Sequence, residues 1–129
     1  MKSSAVNTDK APSAIGPYSQ GIAAGPWLFV SGQLGMNPQT GELVGKDLAS
    51  QARQALENLK AVVEAGGSTL ADVTAVEVFL TDMGDFAEFN GIYAEYFEAH
   101  KPARAAIGVA ALPKSAAVEI KCIALRSES

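Results

Sequence analysis

The chain has 129 residues, 48% hydrophobic and 19% charged, with a formal net charge of −4. That length fits one domain able to bury about two-thirds of its unfolded surface, which argues against a disordered or multidomain chain. The acidic balance, with no run of Lys or Arg, weighs against a nucleic-acid partner, because neutralising phosphates takes clustered cations.

Cys122 is the one cysteine and His100 the one histidine. A single thiol excludes an intrachain disulfide, and the pair cannot build a His/Cys metal cluster. No charged-then-apolar leader opens the sequence, and no apolar run approaches the ~20 residues of a membrane span. A soluble cytoplasmic protein without a membrane partner is expected.

Residues 1–129 read as one domain. Lys2 to Ser13 is polar and unpatterned, so residues 1–11 are expected to be flexible. Two short strands, Gly21–Ala24 and Trp27–Ser31, flank a Gly25-Pro26 turn. Asn37-Pro38-Gln39-Thr40-Gly41 has the residues of a loop.

The clearest helix runs from Asp47 to Ala65. Leu48, Ala52, Leu56, Leu59 and Val63 recur at spacings of three and four, Asp47 can cap the start, and Gly66-Gly67 stops the end. Val73 to Thr81 alternates as a strand, with Val76, Val78 and Leu80 on one face and Ala75, Glu77 and Phe79 on the other.

A second helix is expected over Asp85 to His100, with Phe86, Phe89, Tyr93 and Phe97 as its buried stripe. Asp85 and Glu88 have the spacing of a capping box, and His100 would meet the helix dipole at the far end. Pro102 stops it. Two strands, Ala105–Ala110 and Ala117–Leu125, close the chain around a loop holding Pro113. This order implies an α+β fold, a mixed sheet with two helices on one face. With Val76 and Ile120 to hide, the other face calls for a homo-oligomer.

Arg104 stands just before a strand of small apolar residues. It could grip a carboxylate in bidentate fashion or serve a structural ion pair at an interface. Glu119 lies in an apolar strand run, where desolvation could make it a general base; Lys121, on the same face, could instead pair with it. Tyr18, in a loop, can close a pocket or cover a core edge, and Asn90 can face a cleft or solvent. Ser31-Gly32-Gln33 lacks the frame of a serine hydrolase. Cys122 reads as a small buried hydrophobe.

Several segments together resemble the RidA/YjgF family of reactive-intermediate deaminases. They are Gly16-Pro17-Tyr18-Ser19-Gln20, Ser31-Gly32-Gln33, Asn37-Pro38-Gln39-Thr40-Gly41, Gln51 to Asn58, Phe86 with Asn90 and Tyr93, Pro102-Ala103-Arg104, Leu112-Pro113, and Val118-Glu119-Ile120. The similarity extends from about Asn7 to Arg126, in order and with compatible spacing.

The resemblance implies a chorismate-mutase-like α+β fold and a homotrimer with clefts between subunits. It implies hydrolysis of 2-iminobutanoate or 2-iminopropanoate to the keto acid and ammonia, without a cofactor or metal. Arg104 would then bind the substrate carboxylate and Glu119 would position or activate water. Tyr18, Ser31, Gly32 and Asn90 would line the cleft. An imine is already electrophilic, so orientation and a base suffice.

The sequence departs from the family pattern after the arginine, where Ala105-Ala106 replaces the usual Ser/Thr-Cys, removing a hydroxyl and a thiol. Two other readings accompany the resemblance. One is an RNA-directed role, since relatives are labelled endoribonucleases and translation inhibitors. The other is a non-catalytic, ligand-binding or chaperone-like trimer.

Overall fold

The computed structural model describes residues 2–127. Its first element is one that the sequence reading lacks. Strand β1 (Ser3–Val6) pairs antiparallel with β2 (Gly21–Ala24), Val6 standing opposite Gly21. Residues 3–6 are thus part of the sheet, which corrects the expectation of a flexible start. An edge strand is held through its main chain, so it needs no apolar alternation to pair.

The following segment is bolted by the buried Gln20. Its amide nitrogen donates to the carbonyls of Thr8, Ala11 and Pro12 at 3.0, 3.3 and 2.8 Å, and its Oε1 accepts from the Thr8 amide at 2.7 Å.

β3 (Trp27–Leu34) follows the Gly25-Pro26 turn and continues beyond the expected end at Ser31. The Asn37 loop closes as its residues demand. Asn37 Oδ1 accepts from the amides of Gln39 and Thr40, and Gly41 takes a left-handed φ of 72°. Helix α1 (Leu48–Ala65) begins at Asp47, whose carboxylate accepts from the Ser50 amide at 2.9 Å, and its expected stripe is buried. Beyond it the left-handed Gly67, φ 86°, turns the chain away.

β4 (Val73–Leu80) matches its expected alternation. Helix α2 (Phe86–Tyr96) is shorter than expected, and the capping box is not formed. Asp85 already has turned backbone, φ −83° and ψ −3°, and its side chain caps nothing; an N-cap needs extended backbone. Asp82 does that work one turn earlier, accepting from the Gly84 amide at 2.8 Å. At the other end Phe97 leaves helical geometry while its ring stacks 4.8 Å from that of Tyr93. His100 therefore lies past the helix and donates from Nε2 to the Val73 carbonyl at 2.6 Å, away from the helix dipole.

β5 (Ala103–Gly108) starts earlier than expected, so Arg104 lies within the strand, opposite Val76. β6 (Val118–Leu125) ends the fold. The strands form one mixed sheet in the order β1-β2-β3-β6-β4-β5, with β4 and β5 parallel and the other pairs antiparallel. The two helices cover one face, giving the expected α+β arrangement.

That covered face carries Val30, Val76, Val78, Ile120 and Cys122. Val76 and Ile120, 2% and 0% exposed, are hidden by the chain's own helices. This corrects the assignment of those two residues to the face in need of cover. The open face carries Trp27, Phe29, Ile107 and Leu125, which are 42%, 44%, 49% and 40% exposed. Cys122 is the expected buried hydrophobe, and burial pushes its thiol up to about 12.

Candidate active site

The site is built on an irregularity. The pairing of β3 with β6 shifts between Val30 and Gln33, and Ser31 and Gly32 fall in that bulge. Bulges bend a strand and redirect its side chains. Ser31 uses its hydroxyl to donate to the Ser19 carbonyl at 2.5 Å, and its amide donates to the Gln20 carbonyl at 2.9 Å. Both bonds tie down the loop that carries Tyr18. Behind the bulge, the buried Asn58 of α1 donates to the carbonyls of Leu34 and Met36 at 3.0 and 2.9 Å. Gln51 similarly donates to the Gly45 carbonyl at 2.9 Å and accepts from the Ala117 amide at 2.7 Å.

Glu119 stands opposite Phe79, on the open face. With Tyr18, Ser31 and Gly32 it lines a groove of about 760 Å³, whose walls include Leu34, Phe79, Lys114 and Lys121. Burial lifts its carboxyl above the usual range, and the Lys121 charge partly opposes this. Among the described residues Glu119 has no ion-pair partner, Lys121 included; the one ion pair joins Arg53 to Glu95. Lys114 and Ser115 at the rim both hold left-handed backbone, with φ of 59° and 57°, a conformation that costs about 1–2 kcal/mol per non-glycine residue. Sequence reasoning passed over Lys114, because nothing in its neighbours marks that backbone.

Arg104 is elsewhere. Its register partner Val76 belongs to the helix-covered face, and its guanidinium lies over the rings of Tyr93 and Phe86, 4.8 and 5.6 Å from their centroids. Its Nη1 donates to Asn90 Oδ1 at 2.7 Å, so the Asn90 amide points at the arginine. No carboxylate of the described residues lies within ion-pairing distance of Arg104. Ring faces and an amide oxygen fix its direction while leaving most of its donors unspent. Tyr93 is core, as expected, although its buried hydroxyl finds no partner among the described residues.

The candidate residues thus form two clusters on opposite faces of the sheet. Tyr18, Ser31, Gly32 and Glu119 share the groove, whereas Arg104 and Asn90 sit together at the β5 edge. One chain does not bring Arg104 to Glu119. Of the two replaced positions, Ala105 pairs with Glu77 on the open face and Ala106 lies part-buried under the helices. A second groove of about 590 Å³, between Thr8, Lys10 and the outer side of α1, holds none of these residues. Among the described residues, no group of three or more His, Cys, Asp or Glu could hold a metal ion. No helix among them is long and apolar enough to cross a membrane.

The family model described as endoribonuclease L-PSP matches residues 8–126. A RutC family protein of Pyrococcus horikoshii is 53% identical over 119 residues, covering 92% of this chain and 94% of its own length. The 2-iminobutanoate/2-iminopropanoate deaminase of Escherichia coli is 46% identical over 127 residues, covering 96% and 98%. Among solved structures, the Rid-family protein YyfA of Yersinia pestis superposes with a TM-score of 0.94 at 44% identity, over 96% of this chain and 99% of that one. Escherichia coli TdcF with bound serine superposes with a TM-score of 0.91 at 45% identity, over the same shares.

Proposed function

The chain belongs to the endoribonuclease L-PSP family, that of the RidA/YjgF proteins, and on that premise we propose that it hydrolyses reactive 2-imino acids. The substrates would include 2-iminobutanoate and 2-iminopropanoate, and the products would be 2-keto acids and ammonia. The observation that carries this reading is Arg104, a guanidinium aimed by Asn90 and two rings and free of any carboxylate among the described residues. Such a fork is matched to a ligand carboxylate. The deaminase name of the Escherichia coli relative and the serine held by TdcF, itself an α-amino acid, support a substrate of this class.

In the proposed reaction Arg104 seats the carboxylate and Glu119 takes a proton from water as its oxygen adds to the imine carbon. Glu119 passes that proton to the imine nitrogen, giving the carbinolamine. It then carries the hydroxyl proton to the amino group, the C–N bond breaks as the C=O bond forms, ammonia leaves and the carboxylate is restored. Because the two clusters lie on opposite faces, the reading requires the β5 edge of one copy to meet the open face of another. A homotrimer with three shared clefts satisfies this and covers Trp27, Phe29, Ile107 and Leu125. Light scattering should therefore give about three times the 13.3 kDa chain mass, as obligate interfaces bury large apolar areas. A stable monomer at micromolar concentration would contradict it.

The direct test generates 2-iminobutanoate in place and follows its loss with and without the protein. Accelerated loss is expected; tight binding of the acid without turnover would favour the ligand-binding reading. The family description favours a second reading, RNA cleavage. The charge of −4 opposes it, since RNA affinity depends on neutralising phosphates. Nuclease activity that survives several columns and vanishes in Glu119→Ala would select that reading instead.

A further inference from the structure

Gly32 has a conformation open to any residue, since it is absent from the positive-φ glycines, Gly16, Gly25, Gly41 and Gly67. What it supplies is space. A β-carbon at Gly32 would stand 2.8 Å from Cδ of Glu119 and 3.1 Å from its Cγ, and would overlap Oε2. The carboxylate therefore occupies the volume that a side chain on Gly32 would fill. No hydrogen bond from the described residues reaches that carboxylate, and the nearby Ser31 hydroxyl donates to the Ser19 carbonyl. Its position is set by shape.

We propose that Gly32 is a positioning residue for the deamination, its missing side chain forming the seat that holds the Glu119 carboxylate on the groove floor. This rests on the reading of Glu119 as the base. The seat has two consequences. It keeps the carboxylate low against the sheet, at one place relative to a substrate held from the β5 edge of a neighbouring copy. It also leaves the carboxylate's lone pairs without a competing donor, free to take the proton of a water. The bulge makes the arrangement possible, because it puts Ser31 and Gly32 outside the regular pairing with β6.

Gly32→Ala tests the seat. The added methyl meets the mobile end of Glu119, so the carboxylate swings outward and the fold stands. A base misplaced by about 1 Å can lose on the order of 100-fold, so kcat should fall by ~10-fold to 100-fold. KM should change little, because Arg104 is untouched. A more hydrated carboxylate should also move the acid limb of the pH–rate profile to lower pH. Lys121 on β6, Lys114 and Tyr18 at the rim and Glu77 on β4 are the charged or titratable groups around it, and none is altered.

Glu119→Asp provides the second measurement, since its shorter side chain does not reach the Oε2 position that the methyl overlaps. It should cost less in the Gly32→Ala background than in the wild type, whereas additive losses would overturn the proposal. Wild-type kcat and an unmoved acid limb in Gly32→Ala, beside an inactive Glu119→Gln, would also overturn it while leaving the base in place. Loss of fold or assembly in Gly32→Ala would overturn it too, by assigning the glycine to structure. Full activity in Glu119→Gln would instead remove the base, and with it the premise.

Discussion

Arg104→Ala should lower kcat/KM for 2-iminobutanoate by at least ~10-fold to 100-fold while the assembly keeps its mass. A charge-assisted hydrogen bond contributes about 1.5–3 kcal/mol net, and about 1.4 kcal/mol is a factor of ten in rate. The loss should be larger where an anion is left badly seated in a small cleft. Arg104→Lys keeps the charge but loses the planar fork, its hydrogen bond to Asn90 Oδ1 and its stacking on Tyr93 and Phe86, so little activity should return. The competing role is an ion pair across an interface. In that case both variants would weaken the assembly, and activity would fall only as the assembly does. Arg104→Ala protein that keeps its mass and its wild-type kcat/KM would refute the carboxylate grip.

Glu119→Gln should cost more, on the order of 10²-fold to 10⁴-fold in kcat, the usual contribution of a positioned general base. Stability should move the other way. Burial raises the folded-state pKa of Glu119, so the stability attached to its protonated form is present below the ordinary carboxylate range. That stability is lost as pH rises through the raised value. Burial penalises the carboxylate's charge, so a neutral glutamine should leave Tm at pH 7 unchanged or higher. A structural ion pair with Lys121 would give the opposite sign. Thermal melts at pH 7 decide between the two: a clear drop in Tm with kcat retained would return Glu119 to a structural role.

Periodic elements were legible in the sequence because periodicity reports burial. The stripe from Leu48 to Val63 and the alternation from Val76 to Leu80 appear in the structure as read. Alternation separates two faces of a strand but does not say which one the helices cover, and Val76 and Ile120 were therefore assigned to the wrong one. Strand β1 was illegible for a different reason. Its pairing runs through the main chain, and with Val6 as its one buried side chain it is too short to show an alternation. The early end of α2 was hidden by the continuing aromatic spacing, since Phe97 is buried as the stripe requires but from outside the helix.

The candidate site was legible residue by residue, mostly through the family resemblance, but not as an arrangement. Nothing in Arg104 or Glu119 announces that they stand on opposite faces, because that depends on the register that sets Arg104 beside Val76 and Glu119 beside Phe79 on β4. The motif residues Gln20, Gln51 and Asn58 carried no role in the sequence reading. In the structure each satisfies main-chain groups that irregular backbone leaves unpaired around the groove. Gly32 was read as a cleft residue, and its contact with Glu119 required the bulge.

In the proposed deaminase site the carboxylate grip and the base come from different copies of the chain. Arg104→Ala and Glu119→Gln chains, each nearly inactive alone, should be unfolded together in equal amounts, refolded and assayed on 2-iminobutanoate. Random assembly puts an intact Arg104 beside an intact Glu119 in about a quarter of the shared clefts, so about a quarter of wild-type activity should return. A mixed assembly no more active than its parents would contradict the shared cleft.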